Sequence, residues 1–238
     1  MSSRTVIEMF DGISPHYDLL NHLLSLGIDR GWRRKTSKLV AQRHPSTILD
    51  VATGTADLAI RMAKDNPTAF ITGVDLSEKM LEIGHTKLGK KKLGQRIALE
   101  KGDGANLPFT DHSFDAVTMA FGIRNFADRE AGLREMVRVC RDKGLVAILE
   151  FSHPSSSWLA TPYRWYSKTL LPWLGRLVSK HPTAYSYLPS SVAAFPARET
   201  FAAMLRKAGL IQVTFRELTG GIATLYYGTV SKSDPETQ

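Results

Sequence analysis

The spacing of apolar residues divides this chain into three regimes. Between residues 13 and 44 it is helical, with Tyr17, Leu20, Leu23 and Leu24 on one stretch and Trp32, Leu39 and Val40 on the next, broken near Gly27. From 47 to 151 short apolar runs alternate with helical ones: strands are predicted at 47–52, 70–75, 97–101, 114–120 and 145–151, and helices at 57–63, 77–88 and 129–141. Strands alternating with helices predict a parallel sheet covered on both faces. Beyond residue 151 the chain turns Pro- and aromatic-rich with helical spacing to about residue 196, which reads as an insertion rather than a linker. An amphipathic helix at 197–208 closed by Gly209, then strands at 211–218 and 222–230 around Thr219-Gly220-Gly221, finish the pattern as an antiparallel hairpin. The expectation is one α/β domain over 1–238. Its parts are an N-terminal helical cap (1–45), a cofactor-binding core (46–153), a helical lid insertion (154–196), and a C-terminal helix and hairpin (197–230).

The strand ends carry the candidate chemistry. The first predicted strand ends at Asp50, turns through Ala52-Thr53-Gly54-Thr55 and opens a helix near Ala56, which gathers main-chain N–H groups at one edge of the sheet. Asp75, at the end of the second strand, lies 21 residues past Gly54, where a carboxylate meets the two hydroxyls of a ribose. A dinucleotide site needs glycines where this chain has Ala56 and Ala59, and Asp50 and Asp57 would repel a pyrophosphate. Both acids suit S-adenosylmethionine, which has no phosphate and carries an ammonium and a sulfonium. The plainer alternative is an ordinary strand, turn and helix capped by Thr and Asp. After the third strand, Asp103 and Gly104 fall where an adenine would lie, and residues 119–126 end the fourth strand, where a transferred methyl group would be presented. Arg124 could equally form a surface ion pair and Asn125 a helix N-cap.

Composition narrows the partners. Of 238 residues one is cysteine, Cys140, placed by its spacing in a helical stretch; it can form no internal disulfide and suits a reducing compartment. No leader-like apolar segment and no membrane-length apolar run appears, so a chain that is soluble and not exported is expected. The net charge is +8, and between Glu150 and Glu199 there is no acidic residue at all. That interval interleaves Arg164, Lys168, Arg176 and Lys180 with Trp158, Trp165, Trp173 and several tyrosines, which reads as a surface leaning on a membrane or, equally, as a helical lid with an aromatic core. No base-flipping motif accompanies the positive charge, which argues against nucleic acid, and the seven histidines are scattered without ligand spacing, so no metal is expected.

Several stretches together resemble the ubiquinone/menaquinone biosynthesis C-methyltransferase family. They are Phe10-Asp11-Gly12-Ile13-Ser14, Trp32-Arg33, the loop from Asp50 to Ala59, Leu107-Pro108-Phe109, Phe121-Gly122-Ile123-Arg124-Asn125 and Leu149-Glu150-Phe151-Ser152. The resemblance spans nearly the whole chain and implies a class I S-adenosylmethionine-dependent methyltransferase (Rossmann-like) sheet. It also implies S-adenosylmethionine as co-substrate and a polyprenylated quinol as acceptor. Ala56, where many members have glycine, resembles the menaquinone branch and favours demethylmenaquinol, with a benzoquinol of ubiquinone biosynthesis as the alternative. Cofactor contacts are expected at Asp50, Gly54, Thr55, Asp75, Asp103 and Gly104. Arg124 and Asn125 are expected to stabilise a developing phenolate, with Tyr17 or a bound water relaying the proton and His16 or Asp18 as reserve bases. The expected setting is cytoplasmic, peripheral to the inner face of the cell membrane, with a second copy of the chain as a further candidate partner.

Overall fold

The structure is a computed structural model, and it describes residues 11–12, 25, 27–155, 190–196 and 198–231. Most of the expected helical cap and lid, with Tyr17, lies outside the described residues. From the second half of the cap comes α1 (Asp29–Ala41), which buries Trp32, Thr36 and Val40 along one face. It is followed by β1 (Thr47–Val51), α2 (Asp57–Asp65), β2 (Phe70–Asp75), α3 (Glu78–Lys91), β3 (Ile97–Lys101) and β4 (Phe114–Ala120). After a short 3-10 turn, Ile123–Asn125, come α4 (Arg129–Val139), β5 (Cys140–Phe151), α5 (Glu199–Lys207), β6 (Leu210–Leu218) and β7 (Ala223–Val230).

The strands form one sheet in the order β3-β2-β1-β4-β5-β7-β6. β1, β2, β3, β4 and β5 run parallel; β7 enters antiparallel beside β5 and pairs with β6 as the expected hairpin. The chain leaves β1 towards β2 on one side and returns to β4 on the other, so the strand order reverses between β1 and β4. A crevice opens at the carboxyl ends of strands at such a reversal.

Side chains alternate across the sheet and make two cores. Ile48 of β1 packs with Trp32, Val40, Leu58, Ile71 and Leu145 under α1 and α2. Leu49 and Val51 pack with Met119, Leu133, Ile148, Phe201 and Tyr226 under α4 and α5. The helix starts follow local chemistry. Ser77 Oγ accepts from Met80 N–H at 3.2 Å to cap α3, and Asp128 accepts from Ala131 N–H at 2.9 Å to cap α4.

Two local expectations are corrected. The helix predicted over 129–141 stops at Val139, and Cys140 begins β5. Cys140 pairs with Phe114 and Leu145 with Ala116, and the residues between are looped out with Lys143 at φ 59°. Pairing of the fully buried Cys140 with the neighbouring strand overrides the helical period of the preceding turns. The second correction is at α2, which has no side-chain cap: Ala56 occupies the N-cap position in the left-handed region at φ 65°.

A left-handed alanine costs roughly 1–2 kcal/mol, part of which glycine would return through its looser unfolded chain, about 0.4–1 kcal/mol. Ala56→Gly is therefore expected to raise stability by about 1 kcal/mol. Urea unfolding checks this, and an unchanged or lower midpoint would show that the loop carries no strain there.

Candidate functional site

A cavity of about 300 Å³ opens across the carboxyl ends of four adjacent parallel strands, β3, β2, β1 and β4. Its wall takes Ala52 and Gly54 from the loop after β1, Asp75 and Ser77 from the end of β2, and Asp103 and Gly104 from the loop after β3. Phe121, Gly122, Asn125 and Phe126 follow β4. Two of the turns that open it are left-handed at non-glycine residues, Ala52 at φ 53° and Phe121 at φ 61°. Both strand ends bend away sharply there, and an added Cβ on Gly122 would stand 2.7 Å from the Ala52 Cβ.

Asp75 joins the first two strand ends. Its Oδ2 accepts from Gly54 N–H at 2.8 Å and its Oδ1 from Ser77 N–H at 2.9 Å. Burial pushes its carboxyl above the usual carboxylate range, against the pull of those amides. Ser77 Oγ in turn donates to Asp11 at 2.5 Å, which brings Asp11 to the rim of the cavity. Asp103 accepts from Ala105 N–H at 2.9 Å and shapes its own loop. Gly104 leaves no room for a side chain, because a Cβ would meet Phe126 at 2.5 Å and Val51 at 2.8 Å.

Three of the expected residues lie behind the wall. Asp50 is 1% exposed and accepts from Thr53 Oγ1 at 2.7 Å and Thr118 Oγ1 at 2.8 Å, holding the loop from below. Burial raises its pKa to about 6, with the two hydroxyls and the Arg33 charge opposing. Thr55 Oγ1 accepts from Lys87 Nζ at 2.9 Å, and Lys87 also pairs with Asp57 at 2.6 Å, so these groups tie the start of α2 to α3. Arg124 turns into the core. Its Nη1 donates to Glu150 at 2.7 Å and to the Phe121 carbonyl at 2.5 Å, and the guanidinium lies 5.3 Å from the Phe151 ring centre. Arg124 does form an ion pair, but a buried one, and Asp128 rather than Asn125 caps the following helix. The cavity thus unites Gly54, Asp75, Asp103, Gly104 and Asn125 at its wall.

Sequence reasoning passed over Glu150 and Lys87 as partners. Glu150 had a signal: an acid ending the unbroken apolar run Leu145 to Leu149 must find a buried cation. Lys87 had none, since its partners are set by how α2 and α3 lie on the sheet. Among the described residues no group of three His, Cys, Asp or Glu side chains is placed to hold a metal ion, and no helix is long and apolar enough to cross a membrane.

Solved structures share this architecture. A [4+2]-cyclase, SpnF, matches with a TM-score of 0.71 at 17% identity, covering 98% of each chain. A SAM dependent methyltransferase from Aquifex aeolicus matches at 0.56 and 18%, covering 78% of this chain and 82% of that one. Strand order, terminal hairpin and cavity together define a class I S-adenosylmethionine-dependent methyltransferase fold, as expected.

The chain belongs to the ubiE/COQ5 methyltransferase family, which it matches over residues 1–230. It is 45% identical to a demethylmenaquinone methyltransferase of Bacteroides fragilis, covering 95% of this chain and 93% of that one. It is 46% identical to a ubiquinone/menaquinone biosynthesis C-methyltransferase UbiE of Geotalea uraniireducens, covering 93% and 94%. The protein is a methyltransferase.

Asp50 gives the site a pH signature. Its pKa is higher folded than unfolded, so the folded state binds more protons between about pH 4 and 6 and stability falls as pH rises through that window. Asp50→Asn removes the buried charge while keeping an acceptor. It is expected to raise Tm relative to the parent at pH 7.5, with the gap closing by pH 5; a gap independent of pH would mean that Asp50 does not titrate there.

Proposed function

We propose that the protein binds S-adenosylmethionine in the strand-end cavity and directs its methyl group to a ring carbon of a polyprenylated quinol, demethylmenaquinol by preference. The observation that carries this reading is the pair of acids at the strand ends: Asp75 at the cavity wall and the buried Asp50 behind it hold loops whose glycines are too few for a pyrophosphate. Relatives named for demethylmenaquinone and for both quinones support the acceptor class. Ala56, at which the chain resembles the menaquinone branch of the family, favours the naphthoquinol over the benzoquinol of ubiquinone biosynthesis.

Asp75 and the Gly54 loop are suited to the ribose and the amino-acid end, and Asp103 with Gly104 to the base. When bound, the donor supplies an already activated methyl group. The protein's work is alignment, exclusion of water and stabilisation of the phenolate that makes the ring carbon nucleophilic. Alignment of the reacting atoms about 3–3.5 Å apart contributes much of the acceleration. Phe121 and Phe126 make the apolar wall that excludes water, and Asn125 offers an amide N–H to a phenolate oxygen. Arg124, its charge paired with Glu150, anchors the turn that carries Asn125 and is no base, since a guanidinium does not deprotonate. Tyr17 or a bound water relays the quinol proton, passing its own on as it accepts, with His16 or Asp18 as the receiving base. The cap (1–45) and lid (154–196) enclose the acceptor, and the acid-free aromatic interval rests on the cytoplasmic face of an anionic membrane.

Incubation with labelled donor and each of two prenylated quinols, followed by product mass, tests the reaction. Methylated naphthoquinol in excess over methylated benzoquinol is expected, and label in neither would overturn the reading. Sedimentation with anionic vesicles tests the membrane contact: binding at low salt that fades at high salt is expected, and no binding at low salt removes that part.

A further inference from the structure

We propose that Glu150 is a positioning residue for the acceptor half of methyl transfer, acting through Arg124 on the turn that carries Asn125; the inference rests on the methyl-transfer reading above. Glu150 is fully buried at the end of β5 and accepts three N–H groups. Arg124 Nη1 and Phe151 N donate to its Oε1 at 2.7 and 2.8 Å, and Arg124 N donates to its Oε2 at 3.3 Å. One carboxylate therefore holds both the side chain and the main chain of the Ile123–Asn125 turn against the neighbouring strand.

Stability alone does not account for this arrangement. Withdrawing two opposite charges from water costs about as much as their attraction returns, and apolar residues of similar volume pack such a site as well or better. Nor is the pair fully satisfied, because Arg124 Nε has no acceptor. Two further buried side-chain polar atoms without a partner among the described residues, Arg129 Nε and Ser152 Oγ, belong to residues next to the pair. Ser152 is two residues from Glu150 along the same face, and Arg129 donates to the Arg124 carbonyl at 3.3 Å. Under-satisfied buried polar groups gathered in one place mark a geometry kept for use rather than for packing.

What the pair controls follows from its contacts. Arg124 lies over the Phe151 ring, Phe151 lies 4.4 Å from Phe121, and Phe121 lies over the cavity with Asn125 beside it. Loosening Arg124 would shift both the aromatic wall and the amide. The groups placed for the donor, Gly54, Asp75 and Asp103, stand at or just past the ends of β1, β2 and β3, whereas Arg124 and Glu150 belong to the ends of β4 and β5.

Two variants test the proposal, Glu150→Gln and the double change Arg124→Met/Glu150→Leu, which replaces the ion pair by apolar side chains. Each is assayed for Tm, for the Kd of S-adenosylmethionine by calorimetry, and for kcat and KM with a short-chain prenylated naphthoquinol, beside the parent protein. The double variant is expected to keep the parent's Tm and, within about twofold, its donor Kd, while kcat falls about 100-fold, the loss a misplaced reacting group brings. Glu150→Gln is expected to lower kcat while leaving donor Kd unchanged. Turnover within threefold of the parent in a folded double variant overturns the proposal, as does a loss of donor affinity in step with turnover in either variant. A parent protein that binds the donor but methylates no quinol defeats the underlying reading instead, and the two failures are thereby distinct.

Discussion

The site depends on one carboxylate that joins two strand ends. Asp75 accepts an amide from the loop after β1 and another from the N-cap of α3, so neither loop can move without breaking a half-buried, charge-assisted hydrogen bond. The loop amides and the cavity wall are thus ordered in advance of any ligand, and little conformational entropy remains to be lost on binding. The same join explains why Asp50 can stay buried beneath. With the loop held from above by Asp75, Thr53 and Thr118 can direct their hydroxyls at Asp50 and satisfy it where water does not reach.

On the acceptor side the ordering force is different. Arg33 lies 5.1 Å from the centre of the Phe121 ring, Phe121 lies against Phe151, and Arg124 lies over Phe151, with Trp32 edge-on to Phe151 at 6.0 Å. Two guanidiniums flank the paired rings of Phe121 and Phe151, and each is held by its own acid, Asp29 or Glu150. The stack links α1 to the ends of β4 and β5. A cap helix and the reacting end of the cavity are therefore one mechanical unit, while the donor end is organised by main-chain hydrogen bonds.

Much of this was legible in the chain. Period-two and helical spacing located every strand of the sheet and the helices between them, and the acids at two strand ends pointed to a sulfonium nucleoside over a dinucleotide. Ser77 was recognisable as a cap because a hydroxyl residue stood between a strand and a helical run. The helix ending at Val139 was overextended because Cys140 and Arg141 continue its period locally, and only pairing of Cys140 with Phe114 decides otherwise. The residues of the Phe121 to Asn125 stretch stood out, but not that Asn125 would face the cavity while Arg124 turned inward.

The sequence by itself determined the alternation of elements, the chemistry at each strand end and the family, because these are written in windows shorter than a strand and helix together. Tertiary structure decided that Glu150 meets Arg124 and Asp57 meets Lys87, whereas Asp29 and Arg33, four residues apart on α1, pair locally. The strand order set two of those encounters, bringing residues 26 and 30 positions apart together. Whether a charge is then buried, paired or left at a cavity wall depends on neighbours that no local pattern names.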